Sequence, residues 1–212
     1  MILETVVVGP MQVNCYVLAL ESNAQAIIID PGDDEQKIRK VLNKYRLNPA
    51  MVMNTHGHID HIGCDDKFAA PVYIHSRDAA LLKDPQLNLS NFLSSALSVK
   101  SKIHTVEDKE NIVLDQIQLK VIHVPGHTPG GIALLMQKPQ DKVLFTGDSL
   151  FYRGIGRTDF PGGDTELLIA SIKEGLLGLA DDTVIYPGHG ASSTIGEEKK
   201  NNPFLMSRQF ME

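Results

Sequence analysis

Thr55-His56-Gly57-His58-Ile59-Asp60-His61-Ile62-Gly63 places three histidines and one aspartate within six positions. Imidazole nitrogens and carboxylate oxygens are ligands for zinc, iron or manganese, so a run this dense points to a metal site. Six consecutive residues cannot wrap one ion, and the density argues for more than one. A solvated loop that is rich in histidine by accident would not explain the wider pattern. Five of the eight histidines follow strand-like runs in glycine-punctuated loops, where a rigid scaffold can hold functional groups.

Three further loops repeat the theme: Pro125-Gly126-His127-Thr128-Pro129-Gly130, Thr146-Gly147-Asp148 and Pro187-Gly188-His189-Gly190. Together they make seven candidate groups: His56, His58, Asp60, His61, His127, Asp148 and His189. Two divalent ions with three terminal ligands each and one shared carboxylate use all seven and leave room for a bridging water. His56 and His58 can turn toward one ion while Asp60 and His61 turn toward the other. A water between two such ions would ionise far more easily than bulk water, since one catalytic zinc already lowers its pKa from 15.7 to about 7. A bridging hydroxide of this kind attacks carbonyl or phosphoryl centres, and Asp60 is counted as both ligand and catalytic carboxylate. No serine or cysteine nucleophile is needed, and Ser149 and Cys64 lie in no Gly-x-Ser-x-Gly elbow.

The elements that must carry these loops alternate strand and helix. Ile2 to Val8, Cys15 to Leu20 and Ala26 to Ile29 read as an antiparallel opening that ends at Asp30-Pro31-Gly32. Asp33 or Asp34 is expected to cap a helix with Ile38, Val41, Leu42 and Tyr45 on one stripe, stopped by Asn48-Pro49. Ala50 to Met53 then delivers the chain into the first histidine loop. Asp65 to Ala69 looks helical, Val72 to Ile74 is a strand, and Ser76 is expected to cap a helix through Leu81 and Leu82.

Residues 85–111 read as a short helix and irregular cover, with a mixed patch from Asn91 to Lys102. Ile117 to Val124 leads to the second histidine loop, and Ile132 to Met136 pairs with Val143 to Phe145 across a turn at Lys138 to Lys142. Asp164 caps a helix striped by Leu168, Ile172, Leu176 and Leu179, and Thr183 to Tyr186 is the last strand. A faint repeat relates the two halves. The expected fold is α/β (α+β): a layered sandwich over residues 1–212 as a single domain, helices outside two mixed sheets, with the site at one rim.

The composition is that of an ordinary globular protein, 42% hydrophobic and 22% charged. A formal net charge of -6 argues against general affinity for nucleic acid, and no run approaches the ~20 apolar residues that span a bilayer. A cytoplasmic location with no membrane partner is expected. Cys15 and Cys64 are too few for a disulfide framework and read as packing residues. Oligomeric state is open.

Thr-His-x-His-x-Asp-His followed in order by Pro-Gly-His-Thr-Pro-Gly, Thr-Gly-Asp and Pro-Gly-His-Gly resembles the metallo-β-lactamase superfamily, over roughly Val8 to Leu205. The resemblance implies the four-layer αββα sandwich. It also implies His56, His58 and His127 on one metal, Asp60, His61 and His189 on the other, and Asp148 bridging.

Within that superfamily, Gly154-Ile155-Gly156-Arg157-Thr158-Asp159-Phe160, with Ser193 to Lys199 and Asn202-Pro203-Phe204-Leu205, resembles the glyoxalase II group, the hydroxyacylglutathione hydrolases. These cleave thioesters such as S-lactoylglutathione, a small-molecule substrate, with two divalent ions: zinc here, or iron or manganese. Arg157 falls where the group carries a basic substrate contact, suited to a carboxylate. The chain is similar to the short form without a C-terminal helical domain. Asp159 departs from the usual aromatic residue, which leaves the thiol open.

An alternative of the same fold is the persulfide dioxygenases, which share Gly-Arg-Thr-Asp-Phe and hold one iron; here the ligands would be His56, His127 and Asp148. Lactonase, phosphodiesterase, nuclease and non-catalytic metal-binding roles are the remaining readings. Asp30 is expected to support the metal loops, and Tyr152 and Arg153 to sit at the rim of the site.

Overall fold

Hydrophobic residues in the central strands face alternately in two directions, and both directions are buried. The computed structural model describes residues 1–93, 96–139 and 142–206. In β2 (Val13–Ala19), Cys15, Val17 and Ala19 face one apolar cluster, while Tyr16 and Leu18 face another. β3 (Gln25–Ile29) repeats this with Ala26 and Ile28 against Ile27 and Ile29. A strand apolar on both sides must be covered on both, and that requirement builds the layers.

One sheet has the order β1 (Ile2–Val8), β2, β3, β4 (Asn48–Met53), β5 (Val72–His75), β6 (Ile103–Val106). The other has the order β14 (Ser193–Thr194), β13 (Val184–Pro187), β10 (Val143–Gly147), β9 (Ile132–Lys138), β8 (Ile117–His123), β7 (Asn111–Leu114); β11 (Leu150–Phe151) pairs with β12 (Gly154–Ile155) apart from both sheets, and the one-turn α2 (Ile59–Ile62) lies in the first histidine loop. The faint repeat in sequence thus corresponds to one six-stranded sheet from each half. Tyr16, Ile27, Ile29 and Met53 of the first sheet meet Leu119, Val121, Leu134 and Phe145 of the second in one central cluster.

α1 (Glu35–Tyr45) seals the outer face of the first sheet, with Ile38 and Leu42 on Val17 and Ile28. α3 (Thr165–Gly175) seals the second, with Leu168, Ile169 and Ile172 on Ala133, Leu144 and Ile185. The architecture is the four-layer αββα sandwich. Among the described residues, no helix is long and apolar enough to cross a membrane.

Topology brings the functional loops to one rim. β3 runs parallel to β4, and β10 parallel to β13. β8 and β10 both run antiparallel to β9, so their C-terminal ends share an edge. The rim is stitched across the two sheets by Asn14 N–H donating to Gly188 O at 2.7 Å and Ile132 N–H to Thr55 O at 2.9 Å.

Several elements differ from expectation. Asp34 lies at the start of α1 but does not cap it; it sits at φ 50°, and its Oδ2 accepts from Gly9 N–H at 3.0 Å and pairs with Lys37 at 2.6 Å. That helix ends at the left-handed Arg46, before Asn48-Pro49, which is already strand. Asp65 to Ala69 is only a 3-10 turn over Asp65–Lys67, because Ala69 at φ 53° cannot continue a right-handed helix. The helix from Ser76 is likewise one 3-10 turn, Ser76–Asp78, preceded by His75, whose Nδ1 accepts from Arg77 N–H.

Residues 85–111 contain a 3-10 turn at Ser90–Leu93 and the unforeseen strand β6, which pairs with β5. Positions 94 and 95 of the mixed patch, and 140 and 141 of the turn before β10, lie outside the described residues. α3 does begin at Asp164, whose Oδ1 accepts from Leu167 N–H at 3.0 Å, but it ends before Leu179.

Candidate metal centre

All seven predicted groups converge. Among the described residues, three sets have ligand atoms within 4.8 Å of one another: His56, His58 and His127; His56, His61 and Asp148; and Asp60, His61 and His189. In the first set His58 Nδ1 lies 3.0 Å from His127 Nε2, which is 3.3 Å from His56 Nε2. In the last set Asp60 Oδ2 lies 3.4 Å from His189 Nε2 and 3.8 Å from His61 Nε2. Asp148 stands between them, with Oδ2 3.7 Å from His127 Nε2 and 3.5 Å from His189 Nε2, and Oδ1 3.4 Å from His61 Nε2.

Neighbouring oxygens decide which nitrogen of each ring faces inward. His127 Nδ1–H donates to Arg157 O at 2.7 Å and His189 Nδ1–H to Met11 O at 3.0 Å. His61 Nδ1–H donates to Asp30 Oδ2 at 3.0 Å. Thr55 Oγ1 gives its own proton to Asp30, which leaves its oxygen to accept from His56 Nδ1–H at 3.2 Å. In these four rings it is therefore Nε2, the nitrogen left without a proton when the ring is neutral, that is aimed into the same space.

The unprotonated Nε2 atoms of His127 and His56, 3.3 Å apart, repel unless a cation lies between them. His61 Nε2 and Asp148 Oδ1 are fully buried with no hydrogen-bond partner. Such orphans are costly, and a metal ion is the partner that suits both. The all-nitrogen-and-oxygen donor set fits zinc, iron or manganese.

The electrostatics of the first donor set agree, whereas in the metal-free protein burial would lower the His61 pKa but Asp148, Asp60 and Asp30 raise it well above the usual histidine value. Burial, reinforced by His61 and His127, holds His56 well below the usual histidine pKa. Burial and His127 push His58 down to about 3. Both are thus neutral, as ligands must be. Burial favours the neutral form of Asp148, yet His61 and His189 outweigh it and keep the carboxylate ionised.

Two buried carboxylates outside the cluster hold its loops. Asp30, 1% exposed, accepts from Thr55 N–H and Thr55 Oγ1, both at 2.7 Å, besides His61. This is the supporting role its Asp-Pro-Gly setting suggested. Asp78, which the sequence did not single out, ties the first histidine loop to the second: it accepts from Gly57 N–H at 3.1 Å, Thr128 Oγ1 at 2.7 Å and Gly130 N–H at 2.6 Å. Only tertiary contact reveals it, since Asp78 sits in an ordinary Ser-Arg-Asp turn. Gly188 is required at its place because a Cβ there would stand 2.1 Å from Asp148 Oδ1 and 2.8 Å from His61 Cε1.

A cleft of about 590 Å³ opens over the cluster, with His58, Asp60, His127, Asp148 and His189 at its floor. Met11, Phe92, Phe151, Ile155 and Phe160 make much of its wall. Arg157 lines it as expected, but its guanidinium is already engaged: Nε and Nη2 donate to the two oxygens of Asp159, each at 2.7 Å. Tyr152 and Arg153 are not among the residues lining the cleft; Arg153 pairs instead with Glu197 at 2.5 Å. Cys15 and Cys64 are buried in the outer cluster of the first sheet, as packing residues.

The family model described as the metallo-beta-lactamase superfamily matches residues 8–189. The chain belongs to that superfamily. An uncharacterized protein of Mycobacterium tuberculosis is 42% identical over 211 residues, covering 93% of this chain and 94% of its own length. The hydroxyacylglutathione hydrolase GloC of Haemophilus influenzae is 37% identical, covering 97% and 99%. Among solved structures, the B3 metallo-beta-lactamase BLEG-1 superposes with a TM-score of 0.90 at 38% identity, covering 97% of this chain and all of that one. TTHA1623, solved in a di-iron-bound form, superposes at 0.81 with 33% identity, covering 95% and 100%. The superfamily match and the donor cluster together support a metal-dependent hydrolase, and the identity of the metal is left open by them.

Proposed function

We propose that this protein is a dinuclear metal-dependent hydrolase of small-molecule thioesters of the S-lactoylglutathione kind. His56, His58 and His127 would hold one ion, Asp60, His61 and His189 the other, and Asp148 both; zinc is the proposed metal, with iron or manganese as substitutes. The observation that carries this reading is the set of inward-facing Nε2 atoms, each fixed by an oxygen on the far side of its ring. The similarity to GloC supports the choice of thioester.

Bound there, the two ions would supply an activated water and an electrophile for the acyl oxygen. The rest falls to the chain's own residues. Phe92, Phe151, Ile155 and Phe160 exclude bulk water from the thioester and align it over the floor. Asp60 lines the cleft; burial would raise its pKa, but His61 and His189 hold it below the usual carboxylate range. It is therefore ionised and accepts a hydrogen bond from the attacking water. The water oxygen bonds to the acyl carbon, the carbon–sulfur bond breaks, and the thiol leaves with the water's proton.

A single iron on His56, His127 and Asp148 would leave His61 and His189 without a role, although both point at Asp148 at 3.4 and 3.5 Å. Elemental analysis with an S-lactoylglutathione assay tests the choice. The expected outcome is two metal ions per chain and thiol release without oxygen uptake; one iron per chain with oxygen consumed on a glutathione persulfide substrate and no thioester cleavage would establish the dioxygenase instead.

Metal loading should depend on pH. In the metal-free protein burial lowers the His189 pKa, but Asp148 and Asp60 prevail and raise it to about 9. At neutral pH the ring is protonated, and an incoming ion must displace that proton. Apparent metal affinity is therefore expected to rise with pH up to about 9, by as much as about tenfold per unit from this group. Titrating zinc into chelator-stripped protein at pH 7.5 in weak buffer should release protons; a zinc titration with no acidification would contradict this arrangement.

A further inference from the structure

The cleft has one arginine or lysine among the described residues that line it, Arg157, and that guanidinium is already engaged. Its Nε and Nη2 donate to Asp159 Oδ1 and Oδ2, each at 2.7 Å, in the fork geometry that a substrate carboxylate would otherwise occupy. The guanidinium also lies 3.8 Å from the centre of the Phe160 ring, which fixes its plane against the cleft wall. The other named wall groups, Met11, Ile59, Leu89, Phe92, Phe151 and Ile155, are apolar.

We infer that Asp159 is a specificity-determining residue: by occupying Arg157 it lowers the affinity of the cleft for anionic thiols and turns the enzyme toward thioesters whose thiol half is uncharged and apolar. This rests on the thioesterase reading for its substrate class, but the ion pair on which it stands does not depend on that reading. An anionic thiol must either break the bidentate pair or take the remaining Nη1 and Nη2 hydrogens, and in both cases it brings its carboxylate near that of Asp159, where like charges repel. An uncharged thiol meets the pair as a neutral unit and gains only apolar contact. Both side chains are more than half exposed, at 57% and 67%, so the exchange is cheap enough to be a matter of selectivity rather than exclusion.

Two measurements on the metal-loaded protein test this. The first is the ratio of kcat/KM for S-lactoylglutathione to that for the S-lactoyl thioester of N-acetylcysteamine, which is uncharged. Asp159→Asn is expected to raise this ratio about fivefold, chiefly through KM for the glutathione ester, and less so in high salt. In Asp159→Asn combined with Arg157→Gln the gain should vanish. The second is equilibrium binding of S-methylglutathione, which needs no turnover, and it should tighten by a similar factor in Asp159→Asn alone. Tighter binding with no thioester hydrolysis would sustain the role of Asp159 while removing the hydrolase reading. An unchanged ratio and unchanged binding, or a gain that survives loss of Arg157, would overturn it.

Discussion

Asp148→Ala is expected to lose turnover by more than about a hundredfold, because partners outside the ligand shell already cost 10- to 100-fold when removed and this side chain reaches both ligand sets. Its Oδ2 approaches His127 and His189, and its Oδ1 approaches His61. Removing it takes away the negative charge that lets two cations sit close together, so metal content should fall along with activity. The fold should survive, since Asp148 belongs to none of the three apolar clusters that hold the layers together. His58→Ala should share the loss of activity through the first ligand set. Circular dichroism, metal analysis and turnover together check this. An active, fully metallated Asp148→Ala protein would sink the dinuclear assignment.

Asp30→Ala should act through stability first. It would strand Thr55 N–H, the Thr55 hydroxyl and His61 Nδ1–H in a site where these groups are almost wholly buried. Each stranded donor costs about 1–3 kcal/mol, so a loss of at least about 3 kcal/mol is expected. That is a large share of the roughly 5–15 kcal/mol that holds a domain folded. The metal should also bind about 10- to 100-fold more weakly, because His61 loses the acceptor that fixes its tautomer. Denaturant unfolding of the chelator-stripped protein separates the first effect from the second. If the metal-free variant unfolds at the same denaturant midpoint as the parent, Asp30 is not the anchor the geometry makes it.

The candidate donor set was legible because metal binding demands particular residue types, and their loops follow strands that carry strong apolar signals. His56, His58, Asp60, His61, His127, Asp148 and His189 could all be named from sequence, as could a layered sandwich from the alternation of strand-like and helical runs, its four-layer αββα form being what the superfamily resemblance implied. Helix stripes were also readable where propensity and burial agreed, as for Ile38 and Leu42. Propensity misled where a buried polar group or a left-handed residue overrode it: Asp78 is drawn into a tie between two loops, and Ala69 breaks the turn after Asp65–Lys67. The short β6 has too few residues to show a period, and its parallel partner β5 lies far back in the chain.

Sequence alone determined which atoms are available to a metal, since donor chemistry is a property of residue type. Only the tertiary structure decided which nitrogen of each ring faces inward, because that depends on Asp30, Met11 and Arg157 arriving from distant loops. It likewise decided that Arg157 faces Asp159 instead of standing free for a substrate. Whether a charge is spent or available is fixed by where side chains meet, and spacing along the chain does not record it.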